Sequence, residues 1–258
     1  MKKWILIGGT ALVVIIIVVL VVGISNLGPI IKKAVNTYGP TITKTEVRLS
    51  GVGISILSGE AKLKGFYLGN PKGFKSPEAM TVASIFVDLD EKSITSDPVI
   101  IDKIEVVRPE ITYEKTGRTD NFKTILNNVE SSVSKGDSAK QQSGKKAEGK
   151  KLIIRNFIIK DAKVDLSVSA VGGQSLSASA SLQDIHLKNI GEKRGGASPE
   201  QVFKEVFAIL YKEMTSPAVT AALNEQLKEL GSSVEIETPV GKTDLGSATD
   251  KVKGMFGK

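Results

Sequence analysis

The chain has 258 residues, of which 41% are hydrophobic but only 5% aromatic, so any core is mainly aliphatic; its formal charge is +7. It has no cysteine, which excludes disulfides, thiolate metal centres and a cysteine nucleophile. One histidine, His186, excludes a histidine-rich metal centre and leaves a single base for any serine triad.

The first element is apolar. Trp4 to Ile24 carries no charge, and Leu12 to Val22 is an unbroken aliphatic run. As a helix this stretch spans roughly 30 Å, the thickness of a bilayer's hydrocarbon core. It is longer than a signal-peptide core and no A-x-A-like site follows it, so it reads as an uncleaved anchor. Lys2 and Lys3 place the N-terminus in the cytoplasm and send the rest of the chain across the membrane. Residues 1–25 are therefore the cytoplasmic start and anchor, 26–133 a first β-rich block, 134–151 a flexible linker or loop, and 152–258 a second β block with C-terminal helices.

Leu27, Ile30, Ile31, Ala34, Val35 and Tyr38 recur at helical spacing, predicting a helix over Asn26 to Tyr38 that Gly39-Pro40 stops. From Thr41 the period becomes two. Short apolar runs reach Tyr113, among them Thr81 to Leu89, Val99 to Val106 and Glu110 to Tyr113, with breaks at Gly51, Gly59, Asn70-Pro71 and Asp97-Pro98. This patterning predicts an antiparallel meander. Thr119 to Val133 follows as a helix with Phe122, Ile125, Leu126 and Val129 on one face and Asp120 as its N-cap.

Ser134 to Lys151 is poor in apolar residues, hence the linker. Strands resume over Leu152 to Ile159, Lys163 to Ala170 and Gln174 to Leu187, the last alternating Leu176, Ala178, Ala180 and Leu182 with serines. Ser198-Pro199 with Gln201 has the form of a capping box, and Ser216-Pro217 starts a second helix that Gly231 ends. Two spacings recur. Ile104, Val106, Ile111 and Tyr113 match Phe157, Ile159, Val164 and Leu166, and Leu63, Phe66, Leu68 and Asn70 match Leu182, Ile185, Leu187 and Asn189.

No catalytic constellation stands out. His186 and Asp184 share one face of a strand pattern, but no G-x-S-x-G elbow, P-loop or H-E-x-x-H exists, and no cofactor is called for. Asp88, Asp90 and Glu91 read as a solvated turn with too few oxygens for calcium. The lysines are spread along the chain without a basic face interleaved with aromatics, which argues against nucleic acid.

A series of short motifs follows the anchor in order. They are Gly39-Pro40-Thr41-Ile42-Thr43, Leu57-Ser58-Gly59, Gly65-Phe66-Tyr67-Leu68-Gly69-Asn70-Pro71-Lys72-Gly73-Phe74, Ile101-Asp102-Lys103-Ile104, Pro109-Glu110-Ile111-Thr112-Tyr113-Glu114 and Thr119-Asp120-Asn121-Phe122. With Leu182 to Gly191 and the basic end Val252 to Lys258, the chain resembles short members of the AsmA family of bacterial envelope proteins, although it lacks the long middle of the large members. The resemblance implies a single-pass anchor in the bacterial inner membrane, a periplasmic domain and a curved, groove-like sheet. Larger relatives are thought to carry phospholipid along such a groove.

The expected architecture is thus α+β: an N-terminal transmembrane helix followed by a curved antiparallel β-sheet, groove-like, with flanking helices. The expected function is to hold or help move membrane lipid, with phospholipid as the partner, or to support envelope lipid homeostasis. Candidate lipid contacts are Ile54, Ile56, Leu63, Leu68, Ile104 and Val106. The alternative is a non-catalytic structural or adaptor module that binds an envelope protein partner. The scarcity of convergent ionisable groups argues against an enzyme.

Overall fold

A computed structural model describes residues 27–55, 58–93, 96–116, 119–142, 151–169 and 175–229. The anchor stretch, Ile56, most of the second half of the linker and the basic C-terminus lie outside these residues. Among the described residues no helix is long and apolar enough to cross a membrane.

The chain opens with α1 (Leu27–Thr43), β1 (Val47–Ser55), β2 (Glu60–Gly69), β3 (Glu78–Leu89), β4 (Val99–Val107), β5 (Glu110–Thr116) and β6 (Thr119–Asp120). Then come α2 (Asn121–Gln142), β7 (Leu152–Lys160), β8 (Lys163–Ser169), β9 (Ser175–Ser181), β10 (Ile185–Ile190), α3 (Pro199–Met214) and α4 (Pro217–Glu229). The fold is α+β, with one ten-stranded sheet curled into a half-barrel. The run predicted as one strand from Gln174 to Leu187 is two strands, β9 and β10.

The sheet is mixed rather than antiparallel. Its order is β10-β7-β4-β3-β5-β8-β9, with β2 also beside β3 and β1 outside β2. β4 pairs β7 in parallel, and so does β5 with β8; every other pair is antiparallel. The parallel pairs arise because the chain leaves β5 through β6 and α2 and returns to lay the β7–β8 unit beside the β4–β5 unit, as parallel neighbours require a long crossover. Val99 faces Leu152, Ile104 faces Phe157, Ile111 faces Val164 and Tyr113 faces Leu166. The recurring spacing in the sequence is therefore a lateral stack of two like units. Arg108 and Asp161, at the corner of each unit, both take positive φ, 50° and 53°. β9 and β10 pair the outer edges of β8 and β7 and so end the stack.

Burial changes face midway along the strands. Val47 and Leu49 are buried at the start of β1, whereas Val52 and Ile54 point inward further on; Phe66 and Leu68 are buried on β2, as are Ala61 and Leu63. In a strand, residues an odd number apart lie on opposite faces. One half of the sheet therefore buries one face beneath helices, and the other half buries the opposite face inside its curl. Gly65, between the two sets on β2, has a φ of 58°, and a Cβ there would sit 2.4 Å from the Ser50 hydroxyl.

Helices close two of the sheet's edges. α1 lies along β1, and the Leu49 N–H donates to Asn36 Oδ1 at 2.7 Å. α4 lies along β9, where Gln226 accepts from the Ser179 N–H at 2.8 Å and donates to its carbonyl at 2.7 Å. Both amides satisfy backbone groups that would otherwise template aggregation. α1 continues through Gly39-Pro40, where the sequence suggested a stop. Pro40 costs one helical hydrogen bond near the end, and the helix ends at Thr43, just before Lys44 with its φ of 57°. α2 likewise runs to Gln142, into the predicted linker, over residues such as Lys, Ala and Gln that favour helix.

Gly39 is required by the approach of α1, since a Cβ there would fall 2.6 Å from Val47 Cβ. Gly39→Val is expected to lower stability by about 2 kcal/mol through overpacking. Urea unfolding of the variant measures this, and an unchanged midpoint would place α1 away from β1.

Candidate functional site

The half of the sheet formed by β1, β2, β3, β4, β7 and β10 carries a continuous apolar inner face. Pairing aligns Val52, Leu63, Ile85, Val106, Ile159 and Ile185 in one row across the six strands. A second row holds Ile54, Ala61, Val87, Ile104, Phe157 and Leu187. Leu89, Ile101, Ile154 and Ile190 continue a third. The first two rows form because each strand alternates here and antiparallel or parallel partners share a face, and the third follows a register shift between Asp88 and Leu89. Five inter-strand spacings give a row of roughly 24 Å, longer than the ~15 Å of one bilayer leaflet's hydrocarbon.

Exposure along these rows is uneven. Leu63, Ile85, Ile104, Val106 and Ile159 on the inner strands are buried, and so is Ile185 on the β10 lip, while Val52 and Ile54 on the β1 lip, Leu187 on the β10 lip and Phe157 on neighbouring β7 are half-buried. Val99, Ile101, Leu152 and Ile154 close one end of the face with no exposure. Of the described helices α1 packs along β1, and α2 and α4 pack on strands outside this half, namely β5, β6 and β9. The inner face is thus an aliphatic surface whose lips are β1 and β10, held by non-directional burial.

The opposite face of the same strands is polar. Lys103 and Lys160 reach Glu105 at 3.9 and 3.3 Å, and Arg155 pairs with Asp102. Such exposed pairs add little stability. Phe86 interrupts this face, 39% exposed, with the Lys62 ammonium 4.9 Å above its ring.

No family model and no curated protein matches the chain. The geometry must therefore carry the functional reading. Of the residues the sequence nominated, the structure brings Ile54, Leu63, Ile104 and Val106 together on the inner face. Leu68 aligns instead with Val47, Met80 and Ile111, in the half covered by helices, and Ile56 lies outside the described residues. Sequence reading missed Ile85, Ile159, Ile185 and Leu187. The matched spacings could have pointed to Phe157 and Ile159 through their partners Ile104 and Val106.

His186 and Asp184 do not pair. His186 Nε2 lies 3.0 Å from Asn156 Oδ1, and Asp184 accepts from the Asp161 N–H at 3.2 Å. Among the described residues no three acidic or histidine side chains are placed to hold a metal ion.

A second constellation is polar and buried. Asn121 has no exposure; its Oδ1 accepts from the Glu114 N–H at 3.0 Å and its Nδ2 donates to Thr112 O and Asn70 Oδ1 at 2.6 and 2.7 Å. Glu114, 1% exposed, accepts from the Lys75 and Ser76 N–H groups at 2.7 and 2.8 Å. Asp120 caps α2 by accepting from the Lys123 N–H at 2.7 Å, and it accepts from the Tyr211 hydroxyl at 2.8 Å. Burial, then the Asp120 charge, pushes the Tyr211 and Tyr113 hydroxyls well above the usual tyrosine range. Motifs scattered over Asn70, Tyr113-Glu114 and Asp120-Asn121 thus meet in one network. Among the described residues no buried side-chain nitrogen or oxygen lacks a partner, so the network fastens loops and helices and offers no spare donor to a ligand.

Proposed function

We propose that this protein holds or helps move membrane lipid on the inner face of its curled sheet, anchored in a bacterial inner membrane by residues 4–24 with the β domain in the periplasm. The reading rests on one observation: every position in the three aligned rows, two across six strands and one across four, is Val, Ile, Leu, Ala or Phe. Burying acyl methylenes against such a face gains about 0.8 kcal/mol for each CH₂. The resemblance of the motif order to AsmA-like proteins supports the same reading, with phospholipid as the cargo.

Photo-crosslinking in cells tests it on the full chain. A photoreactive phenylalanine analogue at Ile54 or Leu187 is expected to yield lipid adducts, and the same analogue at outward-facing His186 to yield none. Equal labelling at Leu187 and His186, or none anywhere, defeats the lipid reading. The exposed Phe86 favours a second reading, an adaptor module for an envelope complex. Protein adducts confined to Phe86, with none to lipid at the lips, would select it.

A further inference from the structure

The anchor and the sheet are joined by a connection too short to leave their relative placement free. Only Ser25 and Asn26 separate Ile24 from α1, so Leu27 lies within roughly 10 Å of the end of the apolar segment. The start of α1 is in turn fixed against the far end of β1. A Cβ on Gly28 would stand 2.6 Å from the Val52 carbonyl oxygen, and α1 then runs back along β1 until Gly39 meets Val47.

We infer that the strand-end rim carrying Ser58, Lys92, Ser96 and Glu192 faces the lipid bilayer, with the Ile54 lip of the apolar inner face beside it. These residues share one end of the sheet. Ser55 pairs Glu60 at the β1–β2 hairpin, and Glu60 pairs Asp88 just before the turn Glu91–Ser93. Val99 pairs Leu152, and Ile190, which pairs Ile154, leads directly into the turn Glu192–Arg194. Ile54 lies on β1 between Val52, where α1 touches the strand, and the hairpin. In this orientation lipid leaving the bilayer meets the half-buried Ile54 first, and the helix-covered half of the sheet points away. The far end of β2 lies roughly 30 Å from the rim, at 3.3 Å for each residue.

The inference rests on the anchor in the proposed function, and one experiment separates the two. The chain has no cysteine, so a single introduced cysteine takes a single fluorophore. Full-length Ser58→Cys, Ser96→Cys and Lys72→Cys proteins, each labelled, are reconstituted into vesicles of phosphatidylethanolamine and phosphatidylglycerol bearing a headgroup nitroxide. All three sites are exposed. Flotation establishes insertion, and quenching is then compared. Several-fold stronger quenching at Ser58 and Ser96 than at Lys72 is the expected result. Inserted protein quenched equally at all three sites, or most at Lys72, overturns the orientation while leaving the anchor intact. Protein that fails to float with the vesicles overturns both.

Discussion

Phe122→Ala is expected to destabilise the domain by about 4 kcal/mol, the scale for removing a buried aromatic ring. Phe122 has no exposure, and its ring stacks on Phe207 with centroids 5.0 Å apart; Phe207 stacks on Phe203 at 5.4 Å. This column joins α2 to α3 over β5, whose inward residues Ile111 and Tyr113 are also buried. A cavity here would loosen both helices, because side chains from several elements meet at one point. Chemical unfolding at constant m-value reads the loss; a change below about 1 kcal/mol would show that the two helices do not share this core. Lipid adducts at Leu187 should survive in any Phe122→Ala protein that remains folded, since the inner face belongs to the other half of the sheet.

That division of the sheet was only partly legible in the sequence. Period-two runs marked Val99 to Val106, Leu152 to Ile159 and Thr81 to Leu89 as strands because half-buried strands must alternate. The capping box at Ser198 also took its predicted form, with Gln201 Oε1 accepting from the Ser198 N–H at 2.9 Å. Parallel pairing of β4 with β7 was not legible, because pairing depends on where α2 returns the chain and not on either strand alone. The equal spacings of Ile104 to Tyr113 and Phe157 to Leu166 held that information as a repeat, without saying that the copies lie side by side. The placement of Leu68 failed for a related reason. Leu63 and Phe66 are an odd number apart, which signals the change of buried face beside Gly65, and Leu68 follows Phe66. Gly39-Pro40 failed as a helix stop because contact with Val47 outweighs the one hydrogen bond that proline removes.

The motifs around Asp120 carry the last large effect, and its pH dependence has a definite sign. Asp120→Ala removes the α2 cap and leaves the buried Tyr211 hydroxyl without its acceptor, an expected loss of about 3 kcal/mol near neutral pH. Asp120→Asn keeps an acceptor for the Lys123 N–H and a polar atom beside Tyr211, so it should lose far less. Burial holds the Asp120 carboxyl above its ordinary 3.8, outweighing the hydrogen bonds from Lys123, Tyr211 and Tyr113 that favour ionisation. As pH rises from 3.8, the unfolded chain gives up this proton before the folded one does, so the unfolded state gains. The part of the stability that comes from this raised pKa is therefore complete below 3.8 and is lost as pH climbs through the folded value, while the cap and the bond to Tyr211 remain. Asparagine does not titrate. The stability of the wild-type protein relative to Asp120→Asn should accordingly fall as pH rises through that window and then level off. Urea unfolding of both proteins from acidic to neutral pH measures the difference, in which titrations common to both cancel. A difference that grows with pH would mean that the hydrogen bonds to the carboxylate outweigh its burial, and that the cluster selects the charged form of Asp120 to hold α2 and α3 together.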